Sequence, residues 1–168
     1  MVGKTGELPL WALDTIRSRD FLSCNNHTAE IMAKAAVFVD SRGGNTRIVA
    51  DAIAEELGVK VGDITAPLPD NAQVLFLGSG TYGGAPGIDM MKFLTDNSFN
   101  GRKVALFGTS ASAGGAEKMI AAMTDALTRK GATIAGTWHC RGKMFIINWG
   151  HPGREDLDNA KKFAGEMH

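Results

Sequence analysis

Five runs of apolar, β-favouring residues alternate with stretches whose apolar residues recur at helical spacing, and this alternation constrains the fold more than any other feature. The runs are Ala35 to Val39, Val59 to Ile64, Ala72 to Leu77, Lys103 to Phe107 and Ala132 to Trp138. Between them Val49, Ala50, Ile53, Ala54 and Leu57 mark one helical face, followed by Met90, Met91, Phe93 and Leu94 and then by Met119, Ile120, Met123 and Leu127. After the fifth run, Leu157, Ala160, Ala164 and Met167 mark a last helix. Helical connections between strands make the sheet parallel, with right-handed crossovers and helices on both faces. The run Ala72 to Leu77 is almost unbroken in apolar character, as a strand buried on both faces requires. The pattern predicts an α/β fold, a three-layer doubly wound five-stranded parallel sheet.

Three of the runs end in loops of small residues. The first breaks at Ser41-Arg42-Gly43-Gly44-Asn45-Thr46, directly before a helical pattern. Hydroxyls, an amide and two glycines at a helix start can aim several backbone N–H groups at one anion, where the helix dipole also favours negative charge. The turn lacks the Gly-Lys-Ser/Thr ending of a nucleotide P-loop and the G-x-G-x-x-G of a dinucleotide fold. The third run ends in Ser79-Gly80-Thr81-Tyr82-Gly83-Gly84, and the fourth in Thr109-Ser110-Ala111-Ser112-Ala113-Gly114-Gly115. Open parallel sheets bind ligands beyond the carboxyl ends of their strands, where all three loops would lie.

The first loop resembles the Ser/Thr-x-Thr-Gly-x-Thr loop of the flavodoxin-like family, which wraps the phosphate of FMN. Ser41, Gly44 and Thr46 match it, and Gly43 stands where a Thr is usual. The resemblance covers roughly residues 34 to 167 and implies strand order 2-1-3-4-5, in which the three loops are neighbours. It implies FMN as cofactor, with Ser41, Arg42, Gly43, Gly44, Asn45 and Thr46 at the phosphate. By the same resemblance Ser79, Gly80, Thr81, Tyr82, Gly83, Gly84, Thr109, Ser110, Ala111, Gly114 and Gly115 hold the isoalloxazine ring. Tyr82 is the expected stacking residue. Gly83 or Gly84 is expected to let a peptide turn over toward the reduced flavin. Family members often carry a second aromatic where this chain has Ala111, Ser112 and Ala113, so one ring face is either open or covered by another element.

The implied function is FMN-dependent electron transfer between redox partner proteins. An alternative is reduction of a small conjugated acceptor such as a quinone over the open ring face. A third, of another class, is an interaction module that kept the fold and lost the cofactor, with Gly43 and the missing aromatic in its support. Lys and Arg together equal Asp and Glu at 18 each, so no field for nucleic acid or a membrane surface is implied. Family carriers are typically acidic, and this chain is neutral overall. Cys24 and Cys140 form no C-x-x-C pattern, which fits a reducing compartment, and no apolar run approaches membrane-spanning length. A cytoplasmic protein is expected; the subunit count stays open.

At 168 residues and 44% hydrophobic, the chain suits one principal domain, read here as residues 32 to 168. Residues 1 to 31 read as an N-terminal extension, either unordered or carrying one short helix through Leu10, Leu13 and Ile16. Met32 is a candidate alternative translation start. His139 and Cys140 are adjacent on a strand, point to opposite faces and have no third ligand at a recognisable spacing, so neither a metal nor a nucleophile is assigned there. His151 reads as a loop residue, with proton donation to a substrate as its functional alternative, and Arg141 as a solvated loop cation or an anchor for an anion. The apolar stretch Lys143 to Trp149 reads as cover for the sheet edge or as a partner contact.

Overall fold

The computed structural model describes residues 35–144 and 148–167. The extension at 1–31, its proposed helix and Met32 lie outside them. Strands β1 (Ala35–Asp40), β2 (Val61–Gly62), β3 (Val74–Gly80), β4 (Lys103–Ser110) and β5 (Thr133–Arg141) alternate with helices α1 (Asn45–Glu56), α2 (Ile88–Asp96), α3 (Gly115–Arg129) and α4 (Arg154–Met167). The strands form one parallel sheet in the order β2-β1-β3-β4-β5. That is the order the resemblance implies.

Two apolar layers flank the sheet. On one side Val37, Val39, Phe76 and Phe107 pack with Val49 and Ile53 of α1 and Phe163 of α4. On the other, Phe38, Leu75, Leu77 and Leu106 pack with Met90 and Phe93 of α2 and Met119 and Met123 of α3. The alternation along each strand sends successive side chains to opposite layers, which is why the central runs read as continuously apolar. Among the described residues no helix is long and apolar enough to cross a membrane.

The ladders run further than the apolar runs do. β3 continues through Gly78, Ser79 and Gly80, and β4 through Gly108, Thr109 and Ser110, because Ser79 pairs with Gly108 and Gly80 with Thr109. Backbone pairing needs no side chain, so strand ends built of small residues read as loop in sequence. β2 is shorter than the alternation over Val59 to Ile64 predicts, since as an edge strand it pairs with β1 only at Val37↔Val61 and Phe38↔Gly62. Gly78 is the tightest of these small positions: a Cβ there would run into the ring of Phe107, its partner across the ladder. Gly78→Ala should therefore cost about 1–3 kcal/mol through overpacking. Urea unfolding would show a lowered midpoint with an unchanged slope, and an unchanged midpoint would contradict the close approach.

Candidate functional site

At the carboxyl edge of the sheet β1, β3 and β4 end within two residues of one another, with Asp40 paired to Ser79 and Ser79 to Gly108. Their loops enclose a crevice of about 200 Å3 lined by Ser41, Gly43, Asn45, Thr46, Gly80, Thr81, Tyr82, Thr109, Ser110 and Ala111, and by Gly142, Lys143 and Met144 of the segment after β5. Helix α1 enters it from Gly44 in the left-handed conformation at φ 81°, a backbone geometry that favours glycine, with no side-chain cap and no acidic residue in its first turn. Ser41 Oγ accepts the N–H of Arg47 at 3.2 Å and so closes the loop on the helix. The first N–H groups of a helix have no intrahelical acceptor and make an anion site.

Side chains lock the loops to one another. The hydroxyls of Thr46 and Thr109 are hydrogen-bonded at 2.8 Å and buried. Asn45 Nδ2 donates to the carbonyl of Lys143 at 2.7 Å, and Asn148 Nδ2 to those of Ala111 and Gly142. Tyr82 lies across Gly80; its hydroxyl accepts the N–H of Arg42 at 2.9 Å, and the Arg42 guanidinium stands 4.7 Å from the ring centroid. Gly83 and Gly84, at φ 64° and 87°, are the centre of a type I′ turn closed by bonds between Tyr82 and Ala85.

The site residues expected from sequence thus divide. Those lining the crevice come together at one end of the sheet, while Arg42 and Gly44 lie in the same loop but not in the lining. Ser79 lies beneath, its hydroxyl accepting the N–H of Gly87 and donating to the carbonyl of Gly80. Gly83 and Gly84 shape the turn beside the crevice, and Gly114 and Gly115 start α3 on its far side. Gly142, Lys143 and Met144 were not foreseen, because only the tertiary position of the segment after β5 brings them there. Asp40 was also missed. Its buried carboxylate accepts the N–H of Met90 in the first turn of α2 at 3.1 Å, a pairing across 50 positions that no local pattern announces.

One polar atom beside the crevice stays unpaired. Thr81 Oγ1 is buried and has no hydrogen-bond partner among the described residues. Leaving such a hydroxyl unpaired costs about 1–3 kcal/mol.

The residues 36–147 match the family model of the flavodoxin domain. The chain belongs to the flavodoxin domain family. It is 33% identical over 132 residues to flavodoxin 1 of Escherichia coli strain K12, covering 71% of this chain and 75% of that one. It is 31% identical over 131 residues to an uncharacterized protein of Methanocaldococcus jannaschii, covering 71% and 87%. Among solved structures, oxidised flavodoxin 1 from Bacillus cereus superposes with a TM-score of 0.66 at 22% identity over 80% of this chain and 96% of that one, which shows the shared fold.

On β5 beside the crevice, Cys140 is held as an inert thiol: burial, with the nearby Asp156 carboxylate, pushes its pKa up to about 12. A raised thiol pKa keeps the neutral form dominant until pH approaches that value, so the reactive thiolate is scarce at pH 8.5. Iodoacetamide should alkylate Cys140 at least about a hundredfold more slowly than free cysteine at that pH, with the rate still rising at pH 10. Peptide mass spectrometry checks this, and labelling at the ordinary thiol rate would contradict it.

Proposed function

We propose that residues 32–168 form an FMN-binding domain, with residues 1–31 as an appendage, and that the protein is an electron carrier between protein partners. Membership of the flavodoxin domain family supports the reading, and the observation that carries it is the crevice itself. An uncapped helix start and small strand-end residues border one crevice. The donor set suits a phosphate ester: N–H groups and the hydroxyls of Ser41 and Thr46 bind it, and Arg42 supplies positive charge. A volume of about 200 Å3 suits the phosphate end of FMN, with the ring against the loops at Ser79–Gly84 and Thr109–Gly115. Tyr82, one face already covered by Arg42, offers its other face to the ring. Bound FMN supplies the redox chemistry, while the chain binds it, orients it and limits water at its polar edge.

The surface around the crevice supports a protein partner. The exposed large hydrophobic residues Ile48, Ile88, Met144 and Trp149 all sit in first helical turns or connections at the carboxyl edge of the sheet. Apolar surface gathered at one end marks an interaction face.

The purified protein should be yellow, bleach with dithionite and release FMN identified by mass spectrometry; a colourless protein that takes up no FMN would overturn the reading. Thr81→Val tests the buried hydroxyl. Removing an unpaired buried hydroxyl should stabilise the flavin-free protein by about 1 kcal/mol. Urea unfolding reads the effect, and a lowered midpoint would show that the hydroxyl is paired.

A further inference from the structure

The crevice is too small to hold the whole of FMN. Pockets that enclose small organic ligands begin at about 300 Å3, whereas this one measures about 200 Å3. A ligand whose phosphate lies at the start of α1 therefore projects beyond the lining, and the projecting part is a flat ring. On the side of the loop after β4, Ala111, Ser112 and Ala113 are too short to cover such a ring. Cover there has to come from another segment.

The chain after β5 brings one to that place. Asn148 Nδ2 donates to the carbonyl of Ala111 at 3.1 Å and to that of Gly142 at 3.2 Å, and both of these residues line the crevice. Asn148 turns the backbone at φ 55°, in the left-handed region that asparagine enters more readily than most side chains. Two backbone bonds close the segment on itself: the N–H of Lys143 donates to the carbonyl of His151, and the N–H of His151 to that of Asn148, each at 3.1 Å. Trp149, the next residue, is thereby held beside the loop that lacks a large side chain.

The indole is also oriented. Lys143, itself a lining residue, sets its ammonium 3.7 Å from the Trp149 ring centroid, so a cation backs the ring. The side chain is otherwise in solvent, with Trp149 74% exposed. Tyr82, from the loop after β3, is backed in the same way by the Arg42 guanidinium at 4.7 Å. Two aromatic rings thus stand at the crevice, each with a cation from a neighbouring loop residue over one face.

We propose that Trp149 is the second aromatic wall of the flavin site. Its indole lies against the part of the isoalloxazine ring that projects past Ala111–Ala113, with Tyr82 against the opposite face. Asn148 is a positioning residue, which tethers the indole to the Ala111 loop. A ring walled on both faces leaves its edge for electron exchange with a partner. The proposal rests on the FMN reading and adds to it a residue that lies outside the three strand-end loops.

The experiment is an NMR titration of the full-length, nitrogen-labelled protein with FMN and, separately, with inorganic phosphate. The indole N–H resonance of Trp149 is identified by its loss in Trp149→Phe. FMN should shift that resonance along the same binding curve as the amides of Ser41–Thr46, whereas phosphate should shift those amides and leave the indole in place. Trp149→Leu should weaken FMN binding about three- to tenfold, the worth of one aromatic stack, and Trp149→Phe should restore most of the loss. Asn148→Gly keeps the left-handed turn but removes the tether, and should weaken FMN binding while reducing the shift at Trp149. Unmoved amides in β3 and β4 show that each variant is folded. An indole that ignores FMN while the Ser41–Thr46 amides respond, or a Trp149→Leu protein that binds FMN as tightly as the parent, would overturn this proposal and leave the FMN reading intact. No shift anywhere with FMN would overturn both.

Discussion

The site depends on the parallel ladder joining β1, β3 and β4. Its register sets Asp40 beside Ser79 and Ser79 beside Gly108, so that the strands finish within two residues of one another and their loops rise from the same edge. Had any of these strands slipped by one residue, its apolar set would have turned from one layer to the other. The register is therefore fixed by the two cores, with Phe76 and Phe107 in one and Leu77 and Leu106 in the other. The crevice geometry is inherited from packing well below it. The Thr46–Thr109 hydrogen bond then couples the first and fourth loops directly.

The same ladder explains the small residues at the strand ends. Glycine there serves the packing: Gly78 makes room for Phe107, and a side chain on Gly80 would press on Tyr82 and Thr46. A crevice lined by backbone and short hydroxyls admits an anion close to peptide N–H groups, which longer side chains would hold off. The cations nearby stand over rings, Arg42 over Tyr82 and Lys143 over Trp149, while Asp40, the buried acid at the end of β1, is turned to the N–H of Met90 in α2.

Much of this was legible in the sequence because it is local. The apolar runs and helical stripes fixed the number and type of elements, and the loops at Ser41–Thr46, Ser79–Gly84 and Thr109–Gly115 announced a shared end. What stayed hidden was long-range or carried by backbone alone. The continuation of β3 through Gly78-Ser79-Gly80 has no side-chain signature. The bond from Asn45 to Lys143 spans 98 positions, and the one from Asp40 to Met90 spans 50. Tyr82 was read as a stacking residue from its ring, but its hydroxyl also holds the N–H of Arg42, which residue type alone cannot disclose. His151 looked like an ordinary loop residue until the fold set it against Asp156.

The central claim is that the three strand-end loops act as one ligand site. An amide-resolved NMR titration of the isotope-labelled protein with FMN tests it directly. The account predicts saturable, equimolar shifts concentrated at Ser41–Thr46, Gly80–Tyr82 and Thr109–Ala111, all following one binding curve. Shifts confined to one loop, or scattered over surfaces away from the carboxyl edge of the sheet, would contradict it.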